Sequence, residues 1–196
     1  MNPDALALPA LLLGLLLFLG LHSLRIFAPA WRDAQLARLG EARWKGLYSL
    51  ASLAGFLLIL WGYAQARLLY APLWLAPAGL RHAVALLMLP AFWLMAAAYV
   101  PRNHLRARLQ HPMTLSVKLW AFAHLLVNNS LPDLLLFGGF LVWSVLLFRS
   151  ARRRAPSPTS ATLAGTLLTL GVGTAGYGFF AFWLHGAWLG VRPFGV

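Results

Sequence analysis

Apolar and polar positions in this chain fall into long blocks, not into the short alternation of a strand or the narrow stripe of a soluble helix. A bilayer core of about 30 Å needs about 20 mostly apolar residues per helix. Six uncharged runs meet or approach that length: Ala5 to Leu24, Gly46 to Ala66, His82 to Val100, Leu119 to Val127 with its Met113 to Lys118 lead-in, Leu134 to Phe148, and Ala161 to Trp183. The fourth and fifth are short. They form a hairpin turned at Asn128-Asn129-Ser130-Leu131-Pro132-Asp133, whose amides, proline and carboxylate suit the water interface. No basic residue precedes the first run, no small-residue cleavage site follows it, and more spans come after, so it reads as a retained helix and not a signal peptide. Asp33 to Lys45 mixes charge with Leu36, Leu39 and Trp44, as an interfacial helix would, with a solvated loop as the alternative. Ala155 to Ser160, with Pro156 and Pro158, reads as a flexible linker, and no internal repeat is present. The pattern predicts an all-α bundle of six transmembrane helices in a single domain over residues 1–196.

Composition agrees with lipid as the solvent. Apolar residues make up 61% of the chain and charged ones 10%, against roughly 45–50% and about 25% in globular proteins. The net charge of +12 would suit a nucleic-acid binder if it formed a face, but the basic residues lie between the apolar runs, so no nucleic-acid partner is expected. Arg25, Arg32, Arg38, Arg43 and Lys45 lie between runs one and two. Arg102, Arg106, Arg108 and Lys118 lie between three and four, and Arg149, Arg152, Arg153 and Arg154 between five and six. The other side holds Arg67, Arg81 and Arg192. Because cytoplasmic loops collect Lys and Arg, an even span count places both termini outside, on the periplasmic face of a bacterial inner membrane. The absence of cysteine excludes disulfides, thiolate nucleophiles, cysteine-ligated zinc and iron–sulfur clusters.

Gly171-Val172-Gly173-Thr174-Ala175-Gly176 spells the glycine fingerprint of dinucleotide-binding folds, which works only between a strand and a helix inside a βαβ unit. Inside an apolar helix the same residues, with Gly165, Thr169 and Phe180, make a small-residue packing face, and Gly55 and Gly62 do the same in the second run. Ionisable side chains within spans are costly enough to mark candidate sites. His82 and His185 lie near outer span ends, where an imidazole reaches water, whereas His22 and His124 lie inside theirs. Trp120, His124 and Asn128 share one helical stripe. With no thiols and few carboxylates, nitrogen ligation remains, and haem iron with axial histidines suits a dry helical bundle. The alternative is that each histidine hydrogen-bonds a neighbouring helix. A second cluster, Asn103-His104-Leu105-Arg106 and Gln110-His111-Pro112-Met113, puts Pro112 in a first helical turn with amides after His111 open to an anion. A basic loop on lipid headgroups is the alternative there.

Taken in order, Asn103-His104, His111-Pro112-Met113, Trp120-Ala121, His124-Leu125-Leu126, Asn128 and Phe137-Gly138 resemble the NnrU family. Leu21-His22-Ser23, Leu39-Gly40-Glu41, Gly46-Leu47-Tyr48-Ser49, Trp61-Gly62-Tyr63, Leu184-His185 and Leu189-Gly190-Val191 extend the likeness over nearly the whole chain. The resemblance implies a multi-pass membrane protein supporting nitrite and nitric oxide reduction in denitrification. NnrU proteins in turn look like relatives of the plant 15-cis-zeta-carotene isomerase, a membrane enzyme holding haem b on two histidines. Its His-Ser pair with a following arginine resembles His22-Ser23 and Arg25. Its His-Pro and Ala-His motifs resemble His111-Pro112 and Ala123-His124, thirteen residues apart. The likeness therefore implies haem b on His22 and His124, with Arg25, His104, His111, Trp120 and Asn128 around it. It implies either a redox accessory role, with nitric oxide as ligand and a reductase as partner, or cis–trans isomerisation of a lipid-soluble polyene. Departures are Ala121 where the isomerase has a cysteine, Met113 for its glutamine, and Asn128-Asn129-Ser130 where NnrU chains often have Asn-Gly-Asp. A more distant likeness to isoprenylcysteine carboxyl methyltransferases lacks their C-terminal acidic residues, since no carboxylate follows Asp133. A cofactor-free scaffold docking a reductase through its basic loops completes the alternatives.

Overall fold

The computed structural model describes residues 3–77, 79–153 and 160–194, and all of its regular structure is helical. In chain order the helices are α1 (Pro3–Phe27), α2 (Pro29–Leu39), α3 (Glu41–Leu69), α4 (Leu80–Tyr99), α5 (His104–Leu109), α6 (Pro112–Leu125), α7 (Leu131–Arg152) and α8 (Leu163–Leu189). A π-helical turn interrupts α7 at Leu134–Gly138 and another interrupts α8 at Phe180–Leu184. Of the predicted linker, residues 155–159 lie outside the described residues.

Five of these helices, α1, α3, α4, α7 and α8, are long and apolar enough to cross a membrane. The expected fourth span is the 14-residue α6, about 21 Å long and thus shorter than the hydrocarbon core. Its shortness comes from both ends: Pro112 starts the helix and the chain turns at Leu126–Val127. Asp33 to Lys45 is also not one helix. Gly40, at φ +78° and ψ 158°, separates α2 from α3 in a conformation open only to glycine. No residue of α2 is buried, and Trp31 meets Trp44 edge to face at 6.1 Å across the break.

The chain forms two compact units, Met1–Leu75 with Asn128–Leu147, and Ala76–Val127 with Phe148–Val196. In the first, α1 and α3 run antiparallel with their backbones in contact. A Cβ on Gly14 would stand 2.7 Å from the Ile59 nitrogen, and one on Gly55 2.9 Å from the Phe18 nitrogen. One on Gly62 would collide with the Leu11 backbone. Apolar helices have no hydrophobic drive to associate within lipid, so this close approach, which maximises dispersion, is what small residues contribute. The core here is Leu11, Leu15, Ile59 and Ala66 with Leu136 and Phe137.

The hairpin turn is buried within the protein and not laid open at a wet surface. Asn129, Ser130 and Asp133 are each under a tenth exposed. The Asp133 carboxylate accepts from the Ser130 amide (2.9 Å) and hydroxyl (2.7 Å), and from the Tyr63 hydroxyl of α3 at 2.6 Å. The Asn129 carbonyl accepts from the Leu73 amide at 3.0 Å, and the Asn129 side-chain amide donates to the Trp74 carbonyl. These bonds anchor the turn to the end of α3. Tyr63→Phe removes a hydrogen bond to a charged acceptor, so a loss of about 1.5–3 kcal/mol is expected, measured as a lower unfolding midpoint in a detergent titration.

In the second unit α4 packs against both α6 and α8. Ser116 of α6 donates to the Ala91 carbonyl at 2.7 Å. Between α4 and α8, Trp93 Nε1 donates to Thr174 Oγ1 at 2.9 Å, and the Tyr177 hydroxyl donates to the Ala85 carbonyl at 3.0 Å. The glycine fingerprint is helix packing, as its sequence context predicts. A Cβ on Gly173 would stand 2.7 Å from the Trp93 ring, Thr169 is fully buried, and Phe180 meets Phe92 at 5.9 Å.

Candidate functional site

In the first unit His22 sits about a turn and a half from the C-terminal end of α1. Its Nδ1 lies 2.7 Å from the Phe18 carbonyl, four residues earlier on the helix. A carbonyl oxygen only accepts, so Nδ1 carries a proton, and in the neutral form of the ring the lone pair is on Nε2. Rings surround it: Phe18 stacked at 4.2 Å, Tyr48 at 5.4 Å, and Trp143 edge-on at 6.1 Å. His22, Phe18, Tyr48, Ser49, Ser52, Leu53 and Phe56 line an open groove of about 330 Å³, at the small end of ligand pockets. Leu53 and Phe56 are exposed on its outer wall. The α1–α3 register that pairs Phe18 with Gly55 and Leu11 with Gly62 sets His22 level with Ser52. Arg25, one turn further along α1, is exposed.

In the second unit His124 repeats the arrangement. Its Nδ1 lies 2.9 Å from the Trp120 carbonyl, again four residues earlier, and the Trp120 ring leans on the imidazole at 5.4 Å. Nδ1 is again the protonated nitrogen. Metal-binding histidines characteristically donate their other nitrogen to a carbonyl or carboxylate in this way, which fixes ring orientation and raises basicity. His185 makes the same type of bond, to the Val191 carbonyl at 2.6 Å, at an exposed position. The hydrogen bond alone therefore does not select the pair; His22 is set apart by the groove it lines.

The remaining candidates separate. Asn128 leaves the stripe it was expected to share with Trp120 and His124, because α6 ends at Leu125 and Asn128 belongs to the turn beyond. His104 starts α5, where its amide and Nδ1 both meet Thr166 Oγ1, at 3.1 and 2.7 Å, tying that helix to α8. His111 is the N-cap residue of α6, with Pro112 in the first turn, and meets Phe148 edge to face at 6.2 Å. Lys118 and Arg152 also face the Phe148 ring, at 5.0 and 5.8 Å. Arg106 donates to the Ala98 carbonyl and helps finish α4. Asn103, 1% exposed, does more of that work: its side chain donates to the Ala97 and Val100 carbonyls and accepts from the Arg106 amide. The loop is thus internally braced. Among the described residues, no three His, Asp or Glu side chains group as a metal site, so any metal here depends on few protein ligands.

Five membrane-length helices define a multi-pass helical membrane protein, and two imidazoles held by their own backbones, one of them in an aromatic-walled groove, are its candidate donor groups. The family model described as NnrU protein matches residues 10–193, and the chain belongs to that family. No curated protein and no solved structure matches it.

Proposed function

We propose that this NnrU-family protein binds haem b in the bacterial inner membrane and supports nitrite and nitric oxide reduction. The observation that carries this reading is the shared geometry of His22 and His124. Each donates Nδ1–H to the carbonyl four residues back, which fixes the orientation of the ring. The residues at His22 fit the group: haem iron takes an imidazole nitrogen and the porphyrin takes apolar or aromatic walls, and the Phe18, Phe56, Tyr48 and Trp143 rings line or flank the groove on His22. When bound, haem supplies a one-electron iron centre able to take nitric oxide as a ligand. The chain's own part is to orient the imidazoles through their backbone bonds, exclude water with Phe18 beside His22, and offer Arg25 as a cation at the end of α1.

The reading extends to topology. With α6 counted as a short sixth membrane segment, most of the basic residues fall on one side and both termini on the outer side. The test is an absorption spectrum of detergent-purified protein expressed with haem supply. A Soret band is expected, and colourless protein that still restores nitric oxide reduction in a deletion strain refutes the cofactor and leaves a scaffold. Isomerisation of a lipid-soluble polyene is the second reading, favoured by the exposed Leu53 and Phe56 on the outer wall of the groove. Incubating the reduced, haem-loaded protein with such a polyene decides it, an unchanged isomer ratio counting against catalysis.

A further inference from the structure

Two polar groups beside His22 have no partner. Ser52 lines the groove with His22, yet its buried hydroxyl makes no hydrogen bond. Trp143 meets His22 edge-on at 6.1 Å, and its buried Nε1 makes none either. Other polar side chains within the spans do find partners. Ser144 and Thr169 bond carbonyls of their own helices, Ser116 and Tyr177 bond α4, and Trp93 bonds Thr174. Unpaired donors in a hydrocarbon environment are costly because no water is at hand to satisfy them. Both unpaired donors adjoin one imidazole, and an indole nitrogen can only donate. The missing component is therefore an acceptor brought by a ligand.

We infer that Ser52 Oγ and Trp143 Nε1 are positioning donors for the carboxylates of the haem that His22 holds. This rests on the haem reading above. The chemistry of the group selects the acceptor: in haem b the four ring nitrogens are committed to iron and the rim carries methyl and vinyl groups. The two propionate carboxylates are the acceptors that remain. Arg25, three residues beyond His22, adds a cation at the same end of α1, which suits a carboxylate edge.

The experiment measures the rate at which the purified holoprotein surrenders haem to excess apomyoglobin. Ser52→Ala and Trp143→Phe each keep the local shape and remove one donor, and each is expected to speed haem loss about tenfold, as for a hydrogen bond to a charged group. Ser52→Thr restores a hydroxyl and is expected to return the wild-type rate. Wild type loaded with the dimethyl ester of haem, whose carboxylates are masked, is expected to lose it fast, with little further change in Ser52→Ala. Wild-type rates in both donor variants, alongside a Soret band that His22→Ala abolishes, overturn this inference and leave the haem reading standing. Equal sensitivity of free-acid and ester haem to Ser52→Ala also overturns it, because the hydroxyl then acts on packing. A wild type that carries no haem under any loading condition removes both.

Discussion

Replacing His22 or His124 by alanine is expected to abolish or shift the Soret band of the purified protein. Each imidazole donates its Nδ1–H to a carbonyl of its own helix. Alanine removes the donor atom while leaving a good helix former in place. Loss of an outer-sphere partner of a metal ligand costs about 10–100-fold in affinity, and loss of the ligand itself is expected to exceed that. His104→Ala and His185→Ala serve as controls. His104 is committed to Thr166, and His185 forms the same kind of backbone bond at an exposed position, so both variants are expected to keep the wild-type spectrum. Unchanged spectra in the His22 and His124 variants together remove these two residues as ligands.

Gly62→Leu is expected to be the most damaging packing substitution. Its Cβ would collide with the Leu11 backbone nitrogen and stand 2.9 Å from the Leu11 Cα. Neither atom belongs to a side chain that can swing away, so α1 and α3 must separate. The separation also forfeits contacts at Gly14 and Gly55, where the backbones again approach closely. Overpacking in a tight core costs about 1–3 kcal/mol for small insertions, and a whole isobutyl group between two helix backbones is expected to exceed the upper figure. The measurement is the unfolding midpoint in detergent, with Gly20→Leu as the control. A Cβ on Gly20 would meet nothing within 4 Å, so that variant is expected to unfold with the wild type. Equal midpoints for the two variants would show that the α1–α3 contact is not what holds the first unit together.

Much of the site is legible in the sequence. His22 and His124 stand out because an imidazole inside an apolar run is expensive, and the glycine fingerprint is recognisable as packing because it has no strand beside it. Asn128 does not join the stripe, because spacing alone assumes that a helix continues, and α6 ends at Leu125. The expected count of six transmembrane helices differs from the five membrane-length helices among the described residues for a related reason. Hydropathy registers apolar residues wherever they occur, whereas Pro112 and the turn at Leu126–Val127 limit the helix itself. Asn103, grouped by sequence with a candidate anion site, instead closes α4 and opens α5 with three hydrogen bonds. Its position just before a short helix is the cap signal that could have assigned it.

Composition and block pattern by themselves determined that this chain is helical, lives in lipid and carries its basic charge mostly between the apolar runs, while its ordered motifs pointed to the NnrU family. Those properties follow from the solvent: a bilayer demands long apolar helices whatever their neighbours are. Tertiary structure alone decided which polar groups are satisfied. Tyr63 reaches Asp133 across 70 positions of sequence, while Ser52 and Trp143 come to flank one histidine with no partner for either. Hydrogen bonding is short-ranged and directional, so a donor's fate depends on which helix packs against it, and that is information no local pattern of residues contains.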